Sequence, residues 1–152
     1  MPRKDIEFQN SVGITLRGWL YTPTEATDGP LPCVVMQHGF SAVKEMGLDA
    51  VGEAFVANLK LVALIFDNRG FGASDAATGQ PRLEIIPSDQ ISDFSDAITY
   101  AQSLPEVDSK RIGIWGSSYS GGHVFVVAAT DKRVKAVISQ VSTRLRPPPF
   151  LY

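Results

Sequence analysis

With 152 residues, 44% of them hydrophobic and 20% charged, the chain has the makings of one soluble globular domain with a buried core. Its net charge of -2 leaves no basic excess for neutralising phosphates, which argues against a nucleic-acid binder. The lone cysteine, Cys33, excludes an internal disulfide and a multi-cysteine zinc site, and its apolar neighbours predict a buried, inert thiol.

The N-terminal Met1-Pro2-Arg3-Lys4-Asp5 is charged and no apolar core follows it, unlike a secretory signal. Ile6-Glu7-Phe8 and Ile14 to Tyr21 alternate apolar and polar residues around Ser11-Val12-Gly13, predicting a hairpin of two half-exposed strands. Thr22 to Pro32 reads as loop. Cys33-Val34-Val35-Met36 is a continuous apolar run suited to a strand covered on both faces.

From Glu45 to Lys60 the period lengthens, and Leu48, Val51, Phe55 and Leu59 predict the buried stripe of a helix. Leu61 to Phe66 is a second buried strand, followed by loop to about Ile86. Leu59 to Phe66, interrupted by Lys60, is too short to span a bilayer. Pro87-Ser88-Asp89 opens a helix whose buried stripe is Ile91, Phe94, Ile98 and Ala101, with Asp89, Asp93 and Asp96 expected on a solvated face. Ile112 to Trp115 is a third buried strand, and Ser120 to Ala129 a helix apolar enough to be covered by neighbours. Val134 to Ser139 is a fourth buried strand. The C-terminal Phe150-Leu151-Tyr152 is not a peroxisomal address, so the cytoplasm is the expected location.

A hairpin followed by strand–helix alternation implies an α/β fold with a mainly parallel sheet and helices on both faces. Its chemistry is expected at the carboxyl ends of the strands. Three glycine-rich polar turns fall there: His38 to Ser41, Asp67 to Asp75 and Gly116 to Gly122. Neither phosphate-binding reading fits them. Gly116 and Gly121 have P-loop spacing, but Gly122 stands where the lysine must be. Gly70-Phe71-Gly72 begins like a dinucleotide fingerprint, but Asp75 occupies its third glycine position and a loop follows.

A serine at a sharp strand-to-helix turn fits better. Ser118 would project above the sheet, with the following helix N-terminus and the Tyr119 N–H stabilising negative charge beside it. Here the sequence resembles the α/β-hydrolase family. His38-Gly39-Phe40 is similar to that family's oxyanion turn, with the Phe40 N–H as second donor. Asp67-Asn68-Arg69-Gly70-Phe71-Gly72-Ala73-Ser74 matches its D-x-R-G-x-G-x-S loop, and Gly116 to Gly122 its G-x-S-x-G elbow with Ser120 in place of the last glycine. The wording Ser-Tyr-Ser-Gly-Gly-His is similar to a dienelactone-hydrolase-like and acyl-peptidase-like subgroup that includes hydrolases of fungal polyketide and toxin clusters.

The resemblance implies attack by Ser118 on an ester, thioester or amide of a small-molecule acyl substrate. It implies no cofactor and no metal. His38, Gly39, Asp67, Arg69, Ser74, Gly116 and Gly121 are expected in supporting roles. A serine nucleophile needs a base, and the base an acid. In the resembled family these follow the nucleophile, yet the one acid after Ser118 is Asp131. His38 precedes it, and His123, five residues on, is expected to point elsewhere.

Residues 1–141 are therefore expected to be the N-terminal part of a hydrolase domain, truncated and weakly active or inactive alone, with 142–152 a basic, proline-rich tail. The strand at Val134 to Ser139 would then be an apolar edge, open to pairing into a homo-oligomer or with a partner chain. The alternative is a non-catalytic interaction protein using that edge or the tail, where Arg144 to Pro149 has the character of a polyproline ligand.

Overall fold

Asn10 shapes the first turn: its Oδ1 accepts the N–H groups of Val12 at 3.2 Å and Ile14 at 2.8 Å. That turn joins β1 (Arg3–Gln9) to β2 (Thr15–Tyr21) in an antiparallel hairpin running from Arg3↔Tyr21 to Gln9↔Thr15. The computed structural model describes residues 2–25 and 27–140, so the tail lies outside the described residues. The remaining strands are β3 (Leu31–Gln37), β4 (Val62–Phe66), β5 (Val107–Ser117) and β6 (Val134–Gln140). Between them run α1 (Leu48–Leu59), α2 (Pro87–Ser103) and α3 (Tyr119–Thr130). The sheet order is β1-β2-β4-β3-β5-β6, antiparallel from β1 to β4 and parallel from β4 to β6. This is the α/β architecture expected.

The helices cover both faces. On one, α1 packs Leu48 and Val56 against Trp19, Tyr21, Met36 and Ile65. On the other, Phe94, Ala97, Ile98 and Ala101 of α2 and Val124 and Val127 of α3 cover Phe8, Leu20, Val35 and Ile114. No helix among the described residues is long and apolar enough to cross a membrane.

Five expectations need correction. β2 is not half-exposed: residues 18–21 are all buried, because β2 lies inside the sheet between β1 and β4. The stripe of α1 runs through Leu48, Gly52 and Val56, and Leu59 is exposed. The helix makes its close approach at Gly52, where a Cβ would come 2.6 Å from Ile65 Cδ1, and a glycine contact leaves no trace in a hydrophobic pattern.

The acidic face of α2 is not solvated. Asp93 is wholly buried, and Asp89 and Asp96 bind neighbouring loops. Asp93 accepts two bonds from Arg69, at 2.6 and 2.7 Å, and one from Asn10 at 2.6 Å. Asp96 accepts both the N–H and the hydroxyl of Ser11 at 2.9 Å. Finally, β6 is the sheet edge anticipated for it rather than a buried strand, since among the described residues it pairs with β5 alone. Val137 and Ile138 stay exposed, as do Phe125 and Val126 of α3, which was expected to be covered.

Candidate active site

The sheet order brings the three polar turns together. β3 lies between β4 and β5, and Gln37 at its end pairs with Phe66 on one side and Gly116 on the other. His38, Asp67 and the Ser117-Ser118 turn therefore leave the sheet side by side. The chain runs from β3 outward to β4, then crosses to β5 on the far side, and such a reversal opens a crevice at the strand ends.

Ser118 stands at the head of α3 with φ 51° and ψ -109°, exposed and in a conformation that side chains rarely adopt. Such strain persists only where the surroundings over-determine it. The Ser118 N–H donates to Gln140 O at 2.7 Å. The Ser117 N–H donates to Ser120 Oγ at 2.9 Å, and that hydroxyl donates to Gln37 O at 2.6 Å. Ser120 thus ties the elbow to the end of β3, which a glycine there could not do. A side chain at Gly116 would strike the Ser120 carbonyl oxygen, so a turn this tight requires glycine. Gly121 is buried, and its carbonyl accepts Ser139 Oγ at 2.8 Å.

Gly39 lies against the same elbow, where a Cβ would come 3.2 Å from Ser118 Cβ. The rings of Phe40 and Tyr119 meet edge-on, with centroids 5.6 Å apart. Tyr119 is the first residue of α3, where backbone N–H groups have no partner within the helix. Among the described residues neither its N–H nor that of Phe40 has an acceptor. Two free donors and a helix N-terminus thus share the rim with Ser118, an arrangement suited to developing negative charge.

Neither histidine hydrogen-bonds to Ser118. His38 is buried and both its nitrogens are occupied: Nδ1 lies 3.0 Å from Gly39 O, to which it must donate, and Nε2 accepts the Asn68 N–H at 3.1 Å. His123 faces inward, its Nδ1 3.0 Å from Gln37 Oε1 and its Nε2 buried without a partner. Burial holds both imidazoles below the ordinary histidine pKa, so both are neutral at neutral pH.

The Asp67 loop braces this rim. The Asp67 carboxylate, wholly buried, accepts the Lys44 N–H at 2.8 Å, Lys44 Nζ at 2.5 Å and the Ala73 N–H at 2.9 Å. Ser74 Oγ donates to Asp67 O at 2.7 Å and accepts the Arg17 N–H at 2.9 Å. Burial opposes the charge on Lys44, but its bonds to Asp67 and Glu45 outweigh this and raise its pKa. Arg69 leaves the loop to pair with Asp89 and Asp93 on α2.

Residues 13–144 match the X-Pro dipeptidyl-peptidase family, S15. The chain belongs to this S15 family. It is 42% identical to the quorum-quenching protein AidA of Acinetobacter baumannii, over 90% of this chain and 42% of the relative. It is 41% identical to a thiohydrolase of Eupenicillium brefeldianum, over 91% of this chain and 42% of the relative. The α/β hydrolase GrgF of Penicillium, also named a polyketide transferase, superposes with a TM-score of 0.82 at 35% identity, over 90% of this chain and 45% of GrgF. The chain spans about two fifths of the length of the curated relatives it matches.

An S15-family fold leaves the substrate open, since these relatives carry the names of different reactions. Several residues of the site escaped the sequence reading. Lys44 gave no signal, because a lone lysine before a helix resembles any surface residue. Gln37 and Asn68 each follow a buried apolar run, and a polar residue there was the available clue. Among the described residues no cluster of three or more His, Cys, Asp or Glu side chains could hold a metal. Cys33 lies on β3, and burial pushes its thiol pKa up to about 12, which leaves it unreactive.

Proposed function

We propose that this chain carries the nucleophile half of a serine hydrolase or acyl transferase, with Ser118 attacking an ester, thioester or amide carbonyl. The observation that carries the reading is the strained, exposed Ser118 at the head of α3, packed against Gly39. As the Ser118 oxygen bonds to the carbonyl carbon, the carbonyl oxygen gains negative charge. The N–H groups of Phe40 and Tyr119 receive it, and collapse of the adduct expels the leaving group and leaves an acyl-serine. The hydroxyl must lose its proton during attack. His38 has no free nitrogen and His123 faces Gln37, so neither histidine is placed to take it.

Residues 1–141 then form the nucleophile-bearing part of a larger hydrolase domain, weakly active or inactive by themselves. The names of the relatives favour an acyl thioester of polyketide type as substrate and a place in fungal secondary metabolism.

A fluorophosphonate probe tests the nucleophile. The wild-type chain is expected to label slowly but above a denatured control, and Ser118→Ala to abolish that labelling. Equal signals from wild type and Ser118→Ala would exclude an activated serine.

The exposed apolar side chains of β6 and α3 favour a second reading, association through the sheet edge. Size-exclusion chromatography across a concentration series is then expected to show association that Val137→Lys/Ile138→Lys suppresses. A stable monomer at every concentration rules this out.

A further inference from the structure

We propose that His123 is a positioning residue that fixes the oxyanion-binding N–H groups, acting through Gln37 on one side and Tyr119 on the other. The proposal rests on the reading of Ser118 as a nucleophile.

His123 ends a chain of directional bonds. Gln37 Nε2 lies 2.5 Å from Asn68 Oδ1 and 3.2 Å from the carbonyl of Gln90. A carbonyl can only accept, so the amide nitrogen must face it and Gln37 Oε1 must face His123. His123 therefore carries its proton on Nδ1 and donates to Gln37 at 3.0 Å. The orientation this gives Gln37 holds Asn68. The backbone N–H of Asn68 in turn donates to His38 Nε2, which places the His38 proton on Nδ1 and directs it at Gly39 O.

The last bond reaches the oxyanion turn itself. Gly39 O and the Phe40 N–H belong to one peptide unit, which is trans. In a trans peptide the C=O and N–H point in opposite directions, so a grip on the oxygen aims the N–H. A second line of contact closes the circuit. The His123 ring packs edge-on against Tyr119 with centroids 4.8 Å apart, and Tyr119 packs the same way against Phe40. One buried imidazole thus connects to both free N–H groups, to Phe40 through Gln37, Asn68 and His38, and to Tyr119 by direct ring contact.

The chemistry of His123 argues for a role beyond filling space. Its Nε2 is buried without a partner, a cost that a leucine or phenylalanine would avoid. What those residues would lack is the Nδ1 donor to Gln37.

Two variants of the full chain separate these contributions. His123→Phe keeps a ring against Tyr119 but removes the donor, whereas His123→Asn keeps a donor near the Nδ1 position. His123→Phe is expected to slow Ser118 phosphonylation about tenfold, less than outright removal of an oxyanion donor, and to move the Phe40 and Tyr119 amide resonances. His123→Asn is expected to recover most of the rate and the Phe40 resonance. Wild-type rates and unmoved amides in both variants, with only a lower melting temperature, overturn the proposal. Absence of labelling in the wild type sinks the nucleophile reading instead, and the amide resonances then decide the positioning role alone.

Discussion

Asp93→Ala is expected to destabilise the fold by about 3–5 kcal/mol, the range for removing one partner of a buried ion pair. Asp93 is fully buried and receives both a two-pronged bond from Arg69 and the amide of Asn10. Its loss leaves the Arg69 guanidinium, whose side chain is 13% exposed, with Asp89 alone as counter-charge. Asn10 loses its partner at the same time, so the hairpin turn and the loop after β4 loosen together. Urea unfolding measures the effect as a lower midpoint at unchanged slope. The double variant Arg69→Met/Asp93→Leu is expected to recover a large part of the loss, because no buried charge is left stranded and the partly exposed Asp89 is solvated. A loss below about 1 kcal/mol in Asp93→Ala, the level of an exposed pair, would contradict the role assigned to this contact.

Gly116→Ala is expected to destabilise by about 1–3 kcal/mol, as overpacking does, and also to suppress labelling of Ser118. The added methyl would strike the Ser120 carbonyl oxygen and lie 2.9 Å from the Gly121 nitrogen, both backbone atoms that cannot turn aside. Relief requires the start of α3 to move away from β5, and Ser118 is the residue between them. Gly122→Ala is the matched control. A Cβ at Gly122 meets nothing within 4 Å, so alanine there is expected to stabilise α3 by about 0.5–1 kcal/mol. Denaturation midpoints and labelling of the two variants side by side check both directions. Full labelling in Gly116→Ala would show that the elbow tolerates the displacement.

Both effects hang on features of unequal visibility. The elbow at Gly116 to Gly122 and the turn at His38 to Phe40 stand out locally, as small or polar residues at the end of an apolar run. Asp93 looks like one more charge on an amphipathic helix, because its partners Arg69 and Asn10 lie 24 and 83 residues away. Likewise, His123 was expected to point away from Ser118, but nothing local indicates Gln37, 86 residues earlier, as its partner.

The sequence by itself determined the α/β class, the order of its elements and the three turns at the strand ends. All of these follow from local hydrophobic period and from the small residues that tight turns require. Strand order was decided only by the tertiary structure, because it depends on which segments pair across long stretches of chain. That order buries β2 and sets β3 between β4 and β5. It also converts three separate polar turns into one rim, with Ser118 set close against Gly39 and His38 held by Asn68.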